Sequence, residues 1–424
     1  MSTAADTLRA ERASAPDRAG LDVEAVRAAF PVLHQEMHGR PLAYLDNAAS
    51  SQKPEPVIDA MSAAYREYYS NVHRGVHKLS QLSTDKFEAG RAAMARFLGA
   101  ARNDEIVFTR GATEAINLVA HSYGRRFLGE GDEVLVTQIE HHSNIVPWQL
   151  LRDAVGARLT VAPVQDEGSI RAADVTALIG ERTKIVAIPH ISNALGTVVP
   201  VREIAKAAHD AGAVVVVDGC QGAPHAAVNV QDLGADFYAV SGHKMYGPTG
   251  IGVLYGRYEL LEAMPPYQGG GEMIASVTFE KSTWKKPPHR FEAGTPAIVE
   301  AIGLGAAVDY LEGLGMANVA AHEADLLAYA TDRLSGIDGL RIIGRAPEKA
   351  AIVSFVMDQA HAHDVGTIVD RAGVAIRAGH HCAQPAMERF GLSATVRASF
   401  GIYNTRAEVD QLAEALDFVK EIFG

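Results

Sequence analysis

The chain has 424 residues, 48% of them hydrophobic and 21% charged, so it is long enough to bury a large core and has the composition of a globular protein. Its 39 basic and 51 acidic side chains give a net charge of −12, which argues against partners such as nucleic acid or an anionic membrane. Only two cysteines are present, which excludes a disulfide framework and a four-cysteine zinc site, and we expect a cytoplasmic protein.

Apolar spacing predicts the elements of the first half of the chain. Residues 1–20 are rich in alanine and arginine but contain acidic side chains and no apolar segment, so we expect a disordered tail there and not a targeting peptide. From Ile106 to Ala211 strand and helix patterns alternate, which is typical of a mostly parallel, doubly wound sheet. The predicted helices are 22–30, 56–69, 85–98, 114–123, 145–155, 173–179 and 204–211, and the predicted strands are 44–45, 106–109, 133–136, 159–163, 185–188, 214–217 and 237–240.

The second half predicts a long loop and then a mixed α/β region. Residues 264–296 are rich in Gly and Pro, which indicates a functional loop or a domain connection. We expect a segment at 21–35 packed against a small domain, a large domain over 36–297, and a small C-terminal α/β domain over 298–424. The elements predicted here are a returning strand at 253–255, one long helical stretch over 298–334, strands at 340–343, 352–357, 374–376 and 396–400, and helices at 364–372 and 406–422.

Two neighbouring strands deliver polar side chains at their carboxyl ends. The strand at 214–217 is followed by Asp218, and the strand at 237–240 leads to Lys244. Ligands bind at this edge of open α/β sheets. A structural ion pair is the plain interpretation of an acid and a lysine. A poorly solvated lysine, however, favours the neutral amine that forms a Schiff base, and a carboxylate is the partner that the pyridine nitrogen of pyridoxal 5′-phosphate (PLP) requires.

The sequence motifs around these two residues resemble those of a known family. The stretches VDGCQG, which contains Asp218, and SGHKMYGPTGIG, which contains Lys244, are similar to the PLP core of fold-type I enzymes of aminotransferase class V, specifically the SufS-type (class II) cysteine desulfurases. The resemblance runs from about Leu21 to Gly424. It implies an α/β fold with a mostly parallel, seven-stranded-type sheet sandwiched by helices, plus a smaller α/β C-terminal domain.

A strand-to-helix turn over residues 109–114 (TRGATE) predicts a phosphate site, because free N–H groups and the helix dipole meet an anion at a helix N-terminus. The same pattern is equally an ordinary N-cap box. The family resemblance implies that the side chains of Thr113, Ser241 and His243 bind the phosphate. It also implies that Thr295 reaches the phosphate from the neighbouring subunit of a homodimer. The implied cofactor-binding residues are Gly111, Ala112, Thr113, His141, Asn193, Asp218, Gln221, Ser241, His243, Lys244 and Thr295.

The segment EHHSN at 140–144 carries adjacent histidines. A metal site is one interpretation, but no further ligands accompany the pair, and a buried structural histidine is another. By resemblance, His141 stacks on the cofactor ring and moves protons. Gln221 is the implied donor to the phenolic oxygen of PLP.

Two arginines are candidates for substrate recognition. Arg397 in TVRASF has the planar fork that binds carboxylates, although a strand-edge arginine with a solvated head group is the plain alternative. The resemblance makes Arg397 the clamp for the substrate α-carboxylate, with Arg377 as a second cation and Asn193 as a further contact. It also implies that a partner subunit lends His73 and Arg74 to the site.

The stretch RAGHHCAQP at 377–385 carries the second cysteine. A lone cysteine is usually a small buried apolar residue, but Cys382 lies in a loop with histidines and an arginine, which favour the thiolate form. A zinc site at His380, His381 and Cys382 has too tight a spacing and no fourth ligand. The loop resembles the catalytic-cysteine loop of the SufS subgroup more than the longer, Ser-rich loop of the IscS/NifS subgroup. We interpret Cys220 as structural.

The resemblance therefore implies a PLP-dependent cysteine desulfurase, a sulfurtransferase with Lys244, Cys382 and His141 as catalytic residues. It would remove sulfur from L-cysteine, give L-alanine and a persulfide on Cys382, and pass the sulfur to a SufE- or SufU-like acceptor for iron–sulfur cluster assembly. The alternatives are a selenocysteine lyase that uses L-selenocysteine, another class V enzyme of the aminotransferase or kynureninase kind, and a non-catalytic scaffold in a sulfur-transfer complex.

Overall fold

The computed structural model of the protein describes residues 20–423 and shows an α/β fold. Its strands, in chain order, are β1 (Glu36–Met37), β2 (Arg40–Pro41), β3 (Ala43–Tyr44), β4 (Ile106–Thr109), β5 (Glu133–Thr137), β6 (Arg158–Ala162), β7 (Thr183–Pro189), β8 (Val214–Asp218), β9 (Phe237–Ser241), β10 (Gly252–Gly256), β11 (Ile274–Val277), β12 (Ser282–Trp284), β13 (Leu340–Ile343), β14 (Ile352–Met357), β15 (Val374–Ala375), β16 (Arg377–Gly379) and β17 (Thr395–Ser399).

Sixteen α-helices lie before, between and after these strands among the described residues. The α-helices are α1 (Val23–Ala28), α2 (Glu55–Ala63), α3 (Lys78–Leu98), α4 (Ala112–Leu118), α5 (Arg125–Phe127), α6 (Val146–Val155), α7 (Ala172–Thr176), α8 (Val201–Asp210), α9 (Gly222–His225), α10 (Val230–Leu233), α11 (Tyr258–Ala263), α12 (Ile298–Leu314), α13 (Met316–Ser335), α14 (Ala362–Asp370), α15 (Gln384–Arg389) and α16 (Arg406–Phe423). Short π-helical turns, Ala64–Tyr68 and Val119–Gly124, extend α2 and α4.

A seven-stranded sheet lies at the centre, in the order β4-β10-β9-β8-β7-β5-β6. Strand β10 is antiparallel to both of its neighbours, and all other pairs with known register are parallel. Strand β8 shows why a continuous apolar run predicted a buried strand. Val215 and Val217 pack into the core on one face of the sheet, and Val214 and Val216 pack into the core on the other. A strand buried on both faces reads as a continuous apolar run, and the predicted fold class is confirmed.

A second sheet of four antiparallel strands, β13-β14-β17-β16, has its own hydrophobic core, which includes Phe355, Val396 and Leu416. Strands β16 and β17 carry Arg377 and Arg397, and the loop after β16 carries Cys382. The strand that was predicted at 374–376 is β15, and it pairs with β3 outside this sheet.

Three predicted elements differ from the structure. The long helix over 298–334 is two helices, because Gly315 between them adopts a φ of +79°, which a helix cannot contain. Helix α3 begins at Lys78, well before residue 85, because the His77 ring accepts the Ser80 N–H and caps the helix over a polar first stretch that hides the apolar period. The loop over 264–296 contains the hairpin β11–β12.

The predicted domain boundaries stay predictions. Helix α12, which begins at Ile298, packs its apolar side chains into the core of the seven-stranded sheet. The segment over 21–35 contacts both parts: Val26 lies in that same core, while Arg27 pairs with Glu408 of α16 at 2.9 Å. The predicted disordered tail over 1–20 lies, except for Gly20, outside the described residues. Between residues 20 and 423, none of the helices combines the length and apolarity needed to cross a membrane.

Mild acid should weaken this fold through His190. Its Nδ1 lies 2.9 Å from the Tyr238 hydroxyl in the interior, and burial lowers the pKa of His190 to about 4. Below about pH 6.5 the unfolded chain binds a proton at this residue that the folded chain does not, so the free energy of unfolding falls as the pH falls from about 6.5 to 4. We expect this residue to remove about 2 kcal/mol of stability between pH 7.5 and pH 5.

Urea unfolding of the wild type and of His190→Gln at both pH values measures this effect. The gap between the two pH values should be smaller in the variant. An equal gap in both proteins would show that His190 does not contribute.

Candidate active site

A pocket of about 180 Å³ opens where β7, β8 and β9 end, since Pro189, Asp218 and Ser241, the last residues of these strands, all line it. Arg377 and Arg397 of the four-stranded sheet also line it, as do Ala48 and Ala49 from the N-terminal part of the chain. The sequence-predicted residues that line the pocket are Ala112, Thr113, His141, Asn193, Asp218, Gln221, Ser241, His243, Lys244, Arg377, Cys382 and Arg397. Residues from both sheets therefore meet in one cavity.

Four predicted site residues lie outside this cavity. Gly111 stands just before it, at the N-cap of α4. His73 pairs with Glu88 at 2.9 Å, and Arg74 pairs with Glu272 at 3.0 Å. Thr295 is exposed. The expectation that the last three serve a neighbouring subunit stays a prediction.

One end of the pocket is rich in hydrogen-bonding groups that suit a phosphate. Helix α4 begins here; its Ala112 N–H donates to Ser241 Oγ at 2.9 Å, and the hydroxyls of Thr113 and Ser143 lie 2.7 Å apart. Hydroxyls and free N–H groups at a helix N-terminus are a fitting donor set for an anion. Ser143 was not predicted, although its place in EHHSN, two residues after His141, was a usable signal.

Asp218 and Lys244 lie at the ends of the adjacent parallel strands β8 and β9. Asp218 is buried, and its Oδ1 accepts the N–H of Cys220 at 3.0 Å, which orients the carboxylate. Lys244 follows in a 3₁₀ turn over Gly242–Lys244 and is half-buried. A primary amine, a buried carboxylate and a phosphate-binding end in one cavity match the aldehyde, the ring nitrogen and the phosphate of PLP.

The ring of His141 is neutral and has a defined tautomer. Burial, with the charge of Lys244 nearby, lowers the pKa of His141 to about 4. Its Nδ1 accepts the Ser143 N–H at 3.0 Å, so the proton of the neutral ring is assigned to Nε2. In this tautomer Nε2 is a hydrogen-bond donor, while Nδ1 is already engaged as an acceptor.

Arg397 is almost completely buried, with 1% of its side chain exposed. Its Nη1 donates to the Asn193 carbonyl and its Nη2 to Asp46 Oδ1, both at 2.9 Å, whereas Nε has no partner among the described residues. Burial raises the pKa of Asp46. Arg397 lines the pocket, and its guanidinium has the planar donor geometry that a substrate carboxylate requires. Asp46 was not predicted, although it is an acid that follows a strand.

The loop that carries Cys382 has an unusual backbone. His381 and Cys382 have φ values of +53° and +55°, a left-handed conformation that non-glycine residues rarely adopt. Two carbonyl groups hold it: the Cys382 carbonyl accepts the His142 N–H, and the His381 carbonyl accepts Asn193 Nδ2, each at 2.7 Å. These contacts keep the half-buried Cys382 at the pocket.

The second thiol, Cys220, also lines the pocket but is buried. Burial, with the Asp218 charge nearby, raises the pKa of Cys220 to about 12, so it stays protonated. Within residues 20–423, no group of three or more His, Cys, Asp or Glu side chains is placed to hold a metal ion.

The fold and this donor set define a PLP-dependent enzyme of fold type I. The chain belongs to the aminotransferase class-V family, whose model matches residues 43–412. A probable cysteine desulfurase of Halalkalibacterium halodurans is 54% identical over 405 residues, which is 95% of this chain and 99% of that protein. A cysteine desulfurase of Synechococcus elongatus is 52% identical over 94% of this chain, which spans 63% of that protein. The apo structure of a cysteine desulfurase from Thermococcus onnurineus NA1 superposes with a TM-score of 0.90 at 40% identity, covering 96% of this chain and 99% of that one.

Proposed function

We propose that this chain is a PLP-dependent cysteine desulfurase, which takes sulfur from L-cysteine and releases L-alanine. The observation that carries the proposal is the presence of the Cys382 thiol in the same cavity as Lys244 and Asp218. An enzyme that only moves amino groups has no use for a thiol at this place. The relatives named as cysteine desulfurases support the same conclusion.

The chain's own residues account for substrate binding and for the first proton transfer. The guanidinium of Arg397 binds the substrate carboxylate, and Asn193 lies beside it. Bound PLP supplies the electron sink for bond breaking at the substrate's carbon atoms. Asp218 holds a proton on the ring nitrogen, and the Lys244 amine removes the proton from the substrate Cα.

The thiol then accepts the sulfur. The Cys382 thiolate attacks the substrate sulfur atom, an S–S bond forms, and the C–S bond breaks with its electron pair left on the substrate carbon. That carbon then takes up a proton and becomes the methyl group of alanine. His141 supplies it after first taking up the proton that the Cys382 thiol released, so the ring begins and ends neutral. The sulfur stays on Cys382 as a persulfide.

We further propose a SufS-type enzyme that acts as a homodimer and passes its sulfur to a SufE- or SufU-like acceptor for iron–sulfur cluster assembly. The short loop over 377–385 supports the SufS type. The two most exposed large apolar side chains among the described residues, Val76 and Phe279, support the homodimer, because a partner subunit would cover them. Val76 also lies two residues from Arg74, which a partner would use.

One measurement tests the reaction type. The purified protein should absorb in the visible range, and L-cysteine should change this absorbance while L-alanine accumulates in amounts equal to the sulfide released in the presence of a thiol reductant. Production of a keto acid in place of alanine would indicate an aminotransferase. A colourless protein that binds no PLP would contradict the proposal and favour a scaffold.

A further inference from the structure

Behind Gln221 lies a buried pair of titratable side chains that the proposed reaction does not use. His225 of α9 and Glu323 of α13 have their Nδ1 and Oε2 atoms 2.7 Å apart, although they are 98 residues apart in the chain. The other ring nitrogen of His225, Nε2, lies 3.2 Å from Oε1 of Gln221. Both side chains are buried, with 6% and 3% exposure. The contacts form a continuous row from Glu323 to a residue of the pocket.

The hydrogen bonds assign the protons along this row. Gln221 Nε2 donates to the Ala48 carbonyl at 2.8 Å, and since a carbonyl can only accept, the Gln221 oxygen must face His225. The His225 Nε2 therefore carries a hydrogen. If His225 were protonated only on Nδ1, the lone pair on its Nε2 would face the Gln221 oxygen. The Gln221 amide would then rotate by about 180° to present its NH₂ group to His225. The short contact at Nδ1 then holds a proton that His225 and Glu323 share.

We propose that His225, held by Glu323, is a positioning residue that fixes the Gln221 amide so that its second N–H, the one not donated to Ala48, faces the phenolic oxygen of bound PLP. This rests on the proposed function only in that PLP is the cofactor. His225 touches neither substrate nor cofactor and acts through Gln221.

The His225–Glu323 pair is not expected to add to the free energy of unfolding, which supports a positioning role. Oε1 of Glu323 is buried with no hydrogen-bond partner among the described residues, an arrangement that costs free energy. Buried ion pairs often destabilise a fold relative to apolar side chains of the same size. Burial also raises the pKa of Glu323, in keeping with a proton retained between the two groups.

A second cavity gives experimental access to this row. It has a volume of about 150 Å³, is separate from the pocket that contains Lys244, and is lined by both His225 and Glu323. A cavity of about this size admits a small aromatic ring. Removal of the His225 ring should enlarge it and leave room for imidazole.

The test is the affinity of the apo-protein for PLP, measured by absorbance titration without cysteine. His225→Ala should weaken PLP binding about tenfold, the loss expected for one hydrogen bond of about 1.4 kcal/mol, and imidazole in the buffer should restore it. The control is His209→Ala, which removes a different histidine paired with a buried carboxylate, Asp236, at 2.8 Å. This control should bind PLP like the wild type and should not respond to imidazole.

The carboxylate offers a second, tautomer-specific comparison. In Glu323→Gln the new amide N–H can donate to His225 Nδ1, which keeps the hydrogen on Nε2, so PLP affinity should stay close to wild type. Glu323→Leu removes the partner and should lose affinity as His225→Ala does. Thermal unfolding of each apo-protein checks that it is folded.

Wild-type affinity in folded His225→Ala, a loss that imidazole does not reverse, or equal losses in the two Glu323 variants would each overturn the proposal. Because cysteine is absent, a wild type that binds PLP but fails to desulfurate cysteine would refute the proposed function and leave this test valid.

Discussion

Replacing Cys382 with serine should abolish the release of sulfur from L-cysteine and leave the visible absorbance of bound PLP unchanged. A hydroxyl at this position is not ionised near neutral pH and is a far weaker nucleophile than a thiolate. Loss of a nucleophile typically lowers turnover by on the order of a thousandfold or more. Sulfide release and alanine formation, measured beside the absorption spectrum, separate a chemical defect from a loss of cofactor.

Cys220 provides the matched control for this substitution. It lines the same pocket, but burial raises the pKa of its thiol to about 12, so Cys220→Ser should keep most of the activity. Full activity of Cys382→Ser with cysteine would show that Cys382 is not the sulfur acceptor. Selenium leaves carbon more readily than sulfur does, so the wild type and Cys382→Ala should be compared on both substrates. A wild type that cleaves L-selenocysteine but not L-cysteine would indicate a selenocysteine lyase.

Replacing Lys244 with alanine should remove the visible absorbance that comes from the covalent link between the lysine amine and the PLP aldehyde. Turnover should fall by on the order of a thousandfold or more, because in the proposed reaction the same amine moves the Cα proton. Borohydride reduction followed by peptide mass mapping should place the PLP label on Lys244 in the wild type and find none in the variant.

Two other lysines make this experiment selective. Burial lowers the pKa of Lys53 and of Lys349 to about 8, so each is a more reactive amine than a surface lysine, yet neither lines the pocket. A Lys349→Met protein should keep the absorbance and the label. A label on Lys53 or Lys349 would show that the reactive amine had been assigned wrongly.

The strand ends of the central sheet could be predicted because their signals are local. Strands β8 and β9 are short apolar runs buried on both faces, and each is followed at once by the polar residues that matter. Parallel neighbours bring such ends to one edge, so Asp218 and Lys244 could be placed together from the order of residues alone. Their roles, like those of the other site residues, stay predictions.

Pairings between distant segments could not be predicted. Asp46 meets Arg397 from 351 residues away, and His225 meets Glu323 only because α9 and α13 dock against each other. No short-range pattern marks such partners. The left-handed backbone at His381 and Cys382 was hidden for the same reason, since contacts from Asn193 and His142 hold it. The hairpin β11–β12 was missed because Gly and Pro dominate its surroundings.

The placement of the site residues on two different sheets has an evolutionary consequence. The seven-stranded sheet holds Asp218 and Lys244, whereas Cys382 follows a strand of the four-stranded sheet. Members of a family with this fold can therefore change the length or sequence of the thiol-bearing loop without altering the residues proposed to bind the cofactor. One ancestral scaffold thus has a short mutational route to several chemistries, and the loop is where descendants with new substrates would first diverge.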